Sequence, residues 1–187
     1  MLGVVCARLG STRLPGKAML VLPNGESMVE KALWVIEEAR LINKAILCTP
    51  DEMLANAVGL FDSVVWAGER NLTGELRCAA EMFRADHVVR ITADCPFLTP
   101  EIIDHVVNEH LKSGADYTYN HHDFLPSGTK EGIDVEVVTR AGLQELSSKE
   151  NLYDGEVIKI HRVDMEEERD VFSVNTLADY IKAYKLL

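Results

Sequence analysis

Apolar residues in this chain fall into short unbroken runs that alternate with stretches of helical periodicity. Leu2–Cys6 is the first run and predicts a strand. Ser27 to Arg40 predicts a helix, because Ser27 and Glu30 have capping-box spacing and Val29, Leu33 and Ile36 share a face. Ala45–Cys48 predicts a second strand. It runs into Thr49-Pro50-Asp51-Glu52, where a capping threonine, a first-turn proline and acidic residues open a helix reaching Leu60. Ser63–Trp66 predicts a third strand, and Thr73 caps a helix from Gly74 to Ala85. His87–Thr92 predicts a fourth strand, and Thr99-Pro100-Glu101 opens a helix ending near Ser113-Gly114.

The last third has a different rhythm. Asp116–Tyr119 and Ile133–Val138 predict strands around a polar loop, His121 to Gly132, that carries glycine and proline. Thr139 caps a helix, and Val157–Val163 predicts an edge strand or hairpin. Asp170–Val174 leads into a final helix, Thr176 to Lys185. Alternating strands and helices over the first two-thirds predict an α/β architecture with a mostly parallel sheet, organised as one Rossmann-like domain over residues 1–187. Such sheets take their ligands at the carboxyl ends of the strands.

Charge narrows the partner. The formal net charge of −11, from 19 basic and 30 acidic residues, repels phosphate backbones and anionic lipid. Neither nucleic acid nor a membrane is therefore expected. Met1–Cys6 is too short for a signal peptide or a span. Cys6, Cys48, Cys78 and Cys95 form no Cys-x-x-Cys pair, which predicts reduced, mostly buried thiols and a cytoplasmic location.

That charge is uneven. The first acidic residue is Glu26, and Arg8, Arg13 and Lys17 precede it. The loop from Arg8 to Lys17 directly follows the first strand, where α/β sheets bind phosphate. Gly10 and Gly16 permit positive φ and close approach, Ser11 and Thr12 offer hydroxyls, and exposed amides could form an anion-binding nest. Arg8 and Arg13 can fork onto phosphate oxygens, while Lys17 supplies a mobile point charge. Three cations suit a triphosphate. Neither the Walker A pattern nor Gly-x-Gly-x-x-Gly is present.

Asp94 ends the fourth strand just before Pro96, so its carboxylate lies at the strand's carboxyl end, suited to Mg²⁺ shared with phosphates. Arg90, mid-strand, reads as a buried partner for a carboxylate. His121 and His122 are adjacent, and His105 and His110 are five apart, so neither pair shares a face for metal binding. Tyr117 and Tyr119 read as packing residues.

The string Ala7-Arg8-x-Gly-Ser-x-Arg-Leu-Pro-Gly-Lys17 resembles the signature of the cytidylyltransferases that activate sugars and sugar acids. Within that superfamily the chain is most similar to the spore coat polysaccharide (SpsF) branch, and also to the 3-deoxy-manno-octulosonate enzymes. Val89-Arg90-Ile91-Thr92-Ala93-Asp94-Cys95-Pro96, Gly132-Ile133-Asp134-Val135-Glu136-Val137 and Val174-Asn175-Thr176-Leu177-Ala178-Asp179 extend the likeness in the same order. The resemblance implies a three-layer, GT-A-like nucleotidyltransferase fold. It also implies cytidylyl transfer from CTP to a sugar or sugar acid, with Mg²⁺ as cofactor and a homodimer as the assembly.

By that resemblance Arg8, Lys17 and Asp94 are catalytic, and Ala7, Arg8, Gly10, Ser11, Arg13, Lys17, Thr73 and Gly74 bind nucleotide. Asn120, Asp134 and Glu136 fall in the acceptor region, within a segment around 116–138 that also serves dimerisation. Metal falls to Asp94 and to Asn175, which stands where the family carries an aspartate; Asp134, Glu136 and Asp179 are the carboxylates that could compensate. Two alternatives stay open. A sugar-nucleotide glycosyltransferase would carry Asp-x-Asp where this chain has Asp94-Cys95-Pro96, and a non-catalytic relative would hold nucleotide without turnover.

Overall fold

Four parallel strands form one half of the sheet, and a mixed trio extends it. The structure is a computed structural model that describes residues 1–66, 71–120, 132–146, 158–165 and 170–187. The first half comprises β1 (Leu2–Cys6), β2 (Lys44–Thr49), β3 (Asp62–Val65) and β4 (His87–Thr92). They are joined through α1 (Met28–Glu38), α2 (Glu52–Ala57) and α3 (Leu72–Met82). After α4 (Pro100–Ser113) come β5 (Tyr117–Tyr119), β6 (Glu136–Thr139), α5 (Arg140–Glu145), β7 (Ile160–Arg162) and α6 (Leu177–Leu186). The seven-stranded sheet has the order β3-β2-β1-β4-β6-β5-β7. β6 is antiparallel to β4 and β5, while β7 is parallel to β5.

Helices cover both faces, so the central strands carry apolar residues on both sides. Val5, Leu47, Val89 and Ile91 pack with Leu33 and Ile36 of α1 and Ile103 and Val106 of α4. Val4, Ile46, Val64 and Val88 pack with Leu76 of α3 and Leu143 of α5 on the other face. Layered this way, the backbone of each central strand is sealed from water and its hydrogen bonds run to its neighbours. Gly3 keeps the α1 face shallow, since a Cβ there would meet Ile36 at 2.8 Å.

Several helix ends follow the expected chemistry. The Ser27–Glu30 and Thr176–Asp179 capping boxes are formed, and the Thr139 side chain accepts from the Gly142 amide. Pro100 starts α4, and Gly114 closes it in the left-handed conformation at φ 57°. Two starts differ from expectation. Asn71, not Thr73, caps α3, accepting from the Gly74 amide, and Thr73 is buried. Asp51, not Thr49, stands at the N-cap of α2, which stops at Ala57.

Of the predicted run Val157–Val163, Ile160–Arg162 forms a parallel edge strand. His121 and His122 lie outside the described residues, as does much of the segment around 116–138. Among the described residues no helix is long and apolar enough to cross a membrane. The four cysteines are free; Cys48 and Cys95 are buried, whereas Cys6 and Cys78 are partly exposed.

Candidate active site

The chain leaves β1 toward β2 and β3, then returns to lay β4 on the opposite side of β1. The loops after β1 and β4 therefore diverge, and this reversal is where open α/β sheets form a crevice. A cavity of about 510 Å³ opens there, with Ala7, Arg8, Ser11, Thr12, Arg13 and Lys17 of the loop after β1 among its lining residues.

The loop after β1 is held by its own backbone. The Leu9 carbonyl accepts from both the Ser11 and Gly16 amides, at 2.9 and 2.8 Å. The Leu9 amide donates to Asp51 Oδ2 at 2.7 Å, which explains why Asp51 makes no cap bond to α2. Gly16 takes φ 72° and leads into a single 3-10 turn, Lys17–Met19, that aims Lys17 back across the crevice. The amides of Ala7, Leu9, Ser11, Gly16 and Lys17 bond within the protein. Gly10 is exposed, has no positive φ and does not line the cavity.

Lys17 gathers three oxygens around its ammonium. Its Nζ donates to Asp94 Oδ2 at 2.5 Å, to the Val174 carbonyl at 3.0 Å and to Asn175 Oδ1 at 3.2 Å. Arg13 also donates to Asn175 Oδ1, at 2.8 Å. Burial opposes ionisation of Asp94, but the Lys17 and Thr92 hydrogen bonds and the Lys17 charge outweigh it and hold the carboxyl below its ordinary value. The buried Cys95 thiol lies 3.8 Å from Asp94 Oδ1 and 3.7 Å from Asp134 Oδ2. Burial and those two carboxylates push that thiol up, so it stays protonated and donates between them.

The cavity is also lined by Cys6, Cys48, Trp66, Leu72, Glu75 and Arg90. Arg90 faces Glu136 across the β4–β6 ladder and donates to its Oε2 at 2.5 Å. The Tyr117 hydroxyl donates to the other Glu136 oxygen at 3.0 Å. Burial raises the Cys6 thiol to about 11, against the opposing influence of the nearby Arg90.

Four expected placements are corrected. Glu136 is buried within the sheet and held by Arg90 and Tyr117, so its carboxylate serves the framework rather than an acceptor. Asn120 is also buried: its amide donates to the Ile133 carbonyl at 2.9 Å and its oxygen accepts from the Val135 amide at 2.7 Å. Thr73 and Gly74 sit behind the cavity wall, and it is Leu72 and Glu75 that line it. Asp179 is committed to capping α6 through the Asn175 and Thr176 amides.

Trp66 and Cys48 carried no chemical signal in the sequence. Their place at strand ends beside the crevice was the only available clue, and it required the strand order.

Asp94, Asn175 and the Val174 carbonyl present hard oxygen donors, with a single carboxylate among them. Among the described residues no group of three or more His, Cys, Asp or Glu could hold a metal. This donor set fits Mg²⁺, which commonly takes one or two carboxylates and completes its shell with substrate phosphates and water.

A mostly parallel sheet with a cationic crevice at its point of strand reversal defines a Rossmann-like α/β protein of nucleotidyltransferase architecture. The CMP:2-keto-3-deoxy-manno-octonic acid synthetase solved with CTP has the same fold: TM-score 0.78 at 15% identity, over 99% of this chain and 97% of that one. The cytidylyltransferase family model matches residues 2–173, and the chain belongs to that family. The 3-deoxy-manno-octulosonate cytidylyltransferase of Pelobacter propionicus is 33% identical over 107 residues, 56% of this chain and 42% of that protein. Spore coat polysaccharide biosynthesis protein SpsF of Bacillus subtilis is 26% identical over 128 residues, 64% of this chain and 53% of that protein. The chain spans about half the length of these curated relatives.

Proposed function

We propose that this chain transfers a cytidylyl group from CTP to a sugar or sugar acid and releases pyrophosphate, in a reaction that depends on Mg²⁺. The observation that carries the reading is the gathering of Arg8, Arg13 and Lys17 around one cavity, with Lys17 on Asp94. Family membership supplies the cytidylyl group, and the relatives named above supply the acceptor class.

In the proposed reaction an acceptor hydroxyl oxygen forms a bond to the α-phosphorus of CTP. The bond from that phosphorus to the bridging oxygen breaks, pyrophosphate leaves with the electron pair, and the hydroxyl proton passes to water. Arg8 and Arg13 bind the β- and γ-phosphates and orient them for in-line departure. Lys17 exchanges Asp94 for a phosphate oxygen and stabilises the charge that grows on the leaving group. Asp94 and the Asn175 oxygen would hold Mg²⁺, which when bound neutralises phosphate charge. The cavity walls, including Ala7 and Ser11, limit water around the reacting phosphorus.

A second reading, nucleotide binding without turnover, draws on Asn175, whose oxygen is neutral and accepts from both Arg13 and Lys17. Pyrophosphate release measured with CTP, Mg²⁺ and a panel of sugar acids separates the two. Release with at least one acceptor is expected. CTP binding with no release from any acceptor would leave only the second reading. The single-domain organisation and the homodimer remain part of this proposal, and gel filtration with light scattering tests the dimer.

A further inference from the structure

The three oxygens around the Lys17 ammonium belong to two segments that other contacts already fix. Asp94 stands in the turn after β4, while Val174 and Asn175 precede α6. The Val174 amide donates to the Asp94 carbonyl at 2.8 Å, which ties the two segments together. Val174 is buried, and the Asn175 amide donates to Asp179 beside the α6 capping box. Asp94 Oδ2, the Val174 carbonyl and Asn175 Oδ1 are therefore brought together by the backbone, at 2.5, 3.0 and 3.2 Å from Lys17 Nζ. Lys17, by contrast, reaches them on a flexible four-carbon stem. The Asp94 carboxylate supplies the only formal negative charge among these three oxygens, and the ammonium neutralises it. Arg13 brings a second cation to the same Asn175 oxygen, at 2.8 Å.

The geometry points to an order of binding: the Lys17 ammonium blocks these oxygens against a divalent cation until a triphosphate draws it away. This rests on the nucleotide reading above and adds the regulation of that same site. A carboxylate, an amide oxygen and a backbone carbonyl are hard donors of the kind Mg²⁺ takes. While Lys17 holds them, a divalent ion would have to sit beside an ammonium and a guanidinium, with one carboxylate to offset all three. A triphosphate changes that sum. Its oxygens compete for Lys17 and Arg13, and their departure leaves the protein oxygens facing a polyanion. Nucleotide and divalent cation then strengthen each other's binding, and by linkage they do so equally. A cation arriving alone meets occupied donors. Its apparent affinity falls in proportion to the fraction of molecules in which the ammonium has swung away. The same contact keeps the Asp94 carboxylate paired when no ligand is present, so a half-buried charge is never left unsatisfied.

Titration of the whole chain with Mn²⁺ in the absence of nucleotide, read from the paramagnetic resonance signal of the free ion, tests the order. Lys17→Met keeps the length of the stem and removes its charge. It is expected to bind Mn²⁺ about tenfold or more tightly than wild type. Adding Asp94→Asn to that variant should abolish the gain, which ties it to these oxygens rather than to the acidic surface. Urea denaturation checks that each variant is folded, and Lys17→Gln takes the place of Lys17→Met if the latter is not. Mn²⁺ affinity unchanged on removing the ammonium, or a gain that survives Asp94→Asn, overturns the proposal. Neither result touches the proposed function, whose failure is read separately as CTP binding without pyrophosphate release.

Discussion

Two ion pairs border the crevice, both closed at 2.5 Å, and they are held in opposite ways. Arg90 and Glu136 occupy facing positions of adjacent antiparallel strands, and the Glu136 side chain is 2% exposed. Lys17 and Asp94 stand on turns that follow strands, with side chains 16% and 23% exposed. A guanidinium clamped by sheet register has one arrangement. An ammonium on a four-carbon stem has three rotatable donors and can exchange a carboxylate oxygen for a phosphate oxygen. Equal bond lengths therefore need not mark equal roles: one pair is fixed by sheet register, and the proposed function asks the other to rearrange when an anion arrives.

The largest expected effect breaks the framework pair. Glu136→Ala leaves Arg90 without its buried counter-charge and is expected to lower stability by about 3–5 kcal/mol, measured by urea denaturation. An effect below about 1 kcal/mol would erase the contrast between the pairs. Lys17→Ala should behave in the reverse manner. Losing one preorganised charged donor costs about 2.7–4 kcal/mol of barrier, so pyrophosphate release should fall more than about a hundredfold. Its urea midpoint should shift by no more than about 1 kcal/mol, because the pair is partly exposed.

A third pair, at the other end of β4, sharpens the framework side. His87 Nδ1 and His110 Nε2 lie 3.0 Å apart, and His110 Nδ1 meets the Thr118 hydroxyl at 2.9 Å. Burial first, then the neighbouring His87, pulls His110 down to about 4. An unfolded histidine titrates near pH 6.5, so the unfolded chain binds more protons between about pH 6.5 and 4, and stability falls as pH drops through that window. The expected loss is on the order of 3 kcal/mol. Urea midpoints at pH 7 and pH 4.5 check it, and His110→Gln should remove most of the dependence. The smallest effect belongs to the loop anchor. Asp51→Ala deprives the Leu9 amide of its acceptor and should cost about 1 kcal/mol, read by thermal melting.

The same contrast explains what could be read from the sequence. The Lys17–Asp94 pair was legible because its parts are local. Arg8, Arg13 and Lys17 stand together before the first acidic residue, and Asp94 ends an apolar run just before Pro96. Parallel strands need crossover helices, so alternation alone exposed that half of the sheet. The framework pair was legible only as an arginine awaiting a carboxylate. Its partner is 46 residues away on a strand whose pairing direction no local pattern encodes. Asn120 and Glu136 were given to the acceptor region by the place of their segment in the family resemblance, which does not separate polar groups buried by sheet register from those facing a ligand. The α3 cap failed more simply, since Asn71 and Thr73 are both good caps and only packing buries Thr73.

A crystal structure with CTP and Mg²⁺ tests the central claim most directly. The account predicts the triphosphate within hydrogen-bonding reach of Arg8, Arg13 and Lys17, the Lys17 ammonium moved from Asp94 onto a phosphate oxygen, and Arg90 still on Glu136. A triphosphate bound away from the loop after β1, with Lys17 and Asp94 still joined, would contradict it.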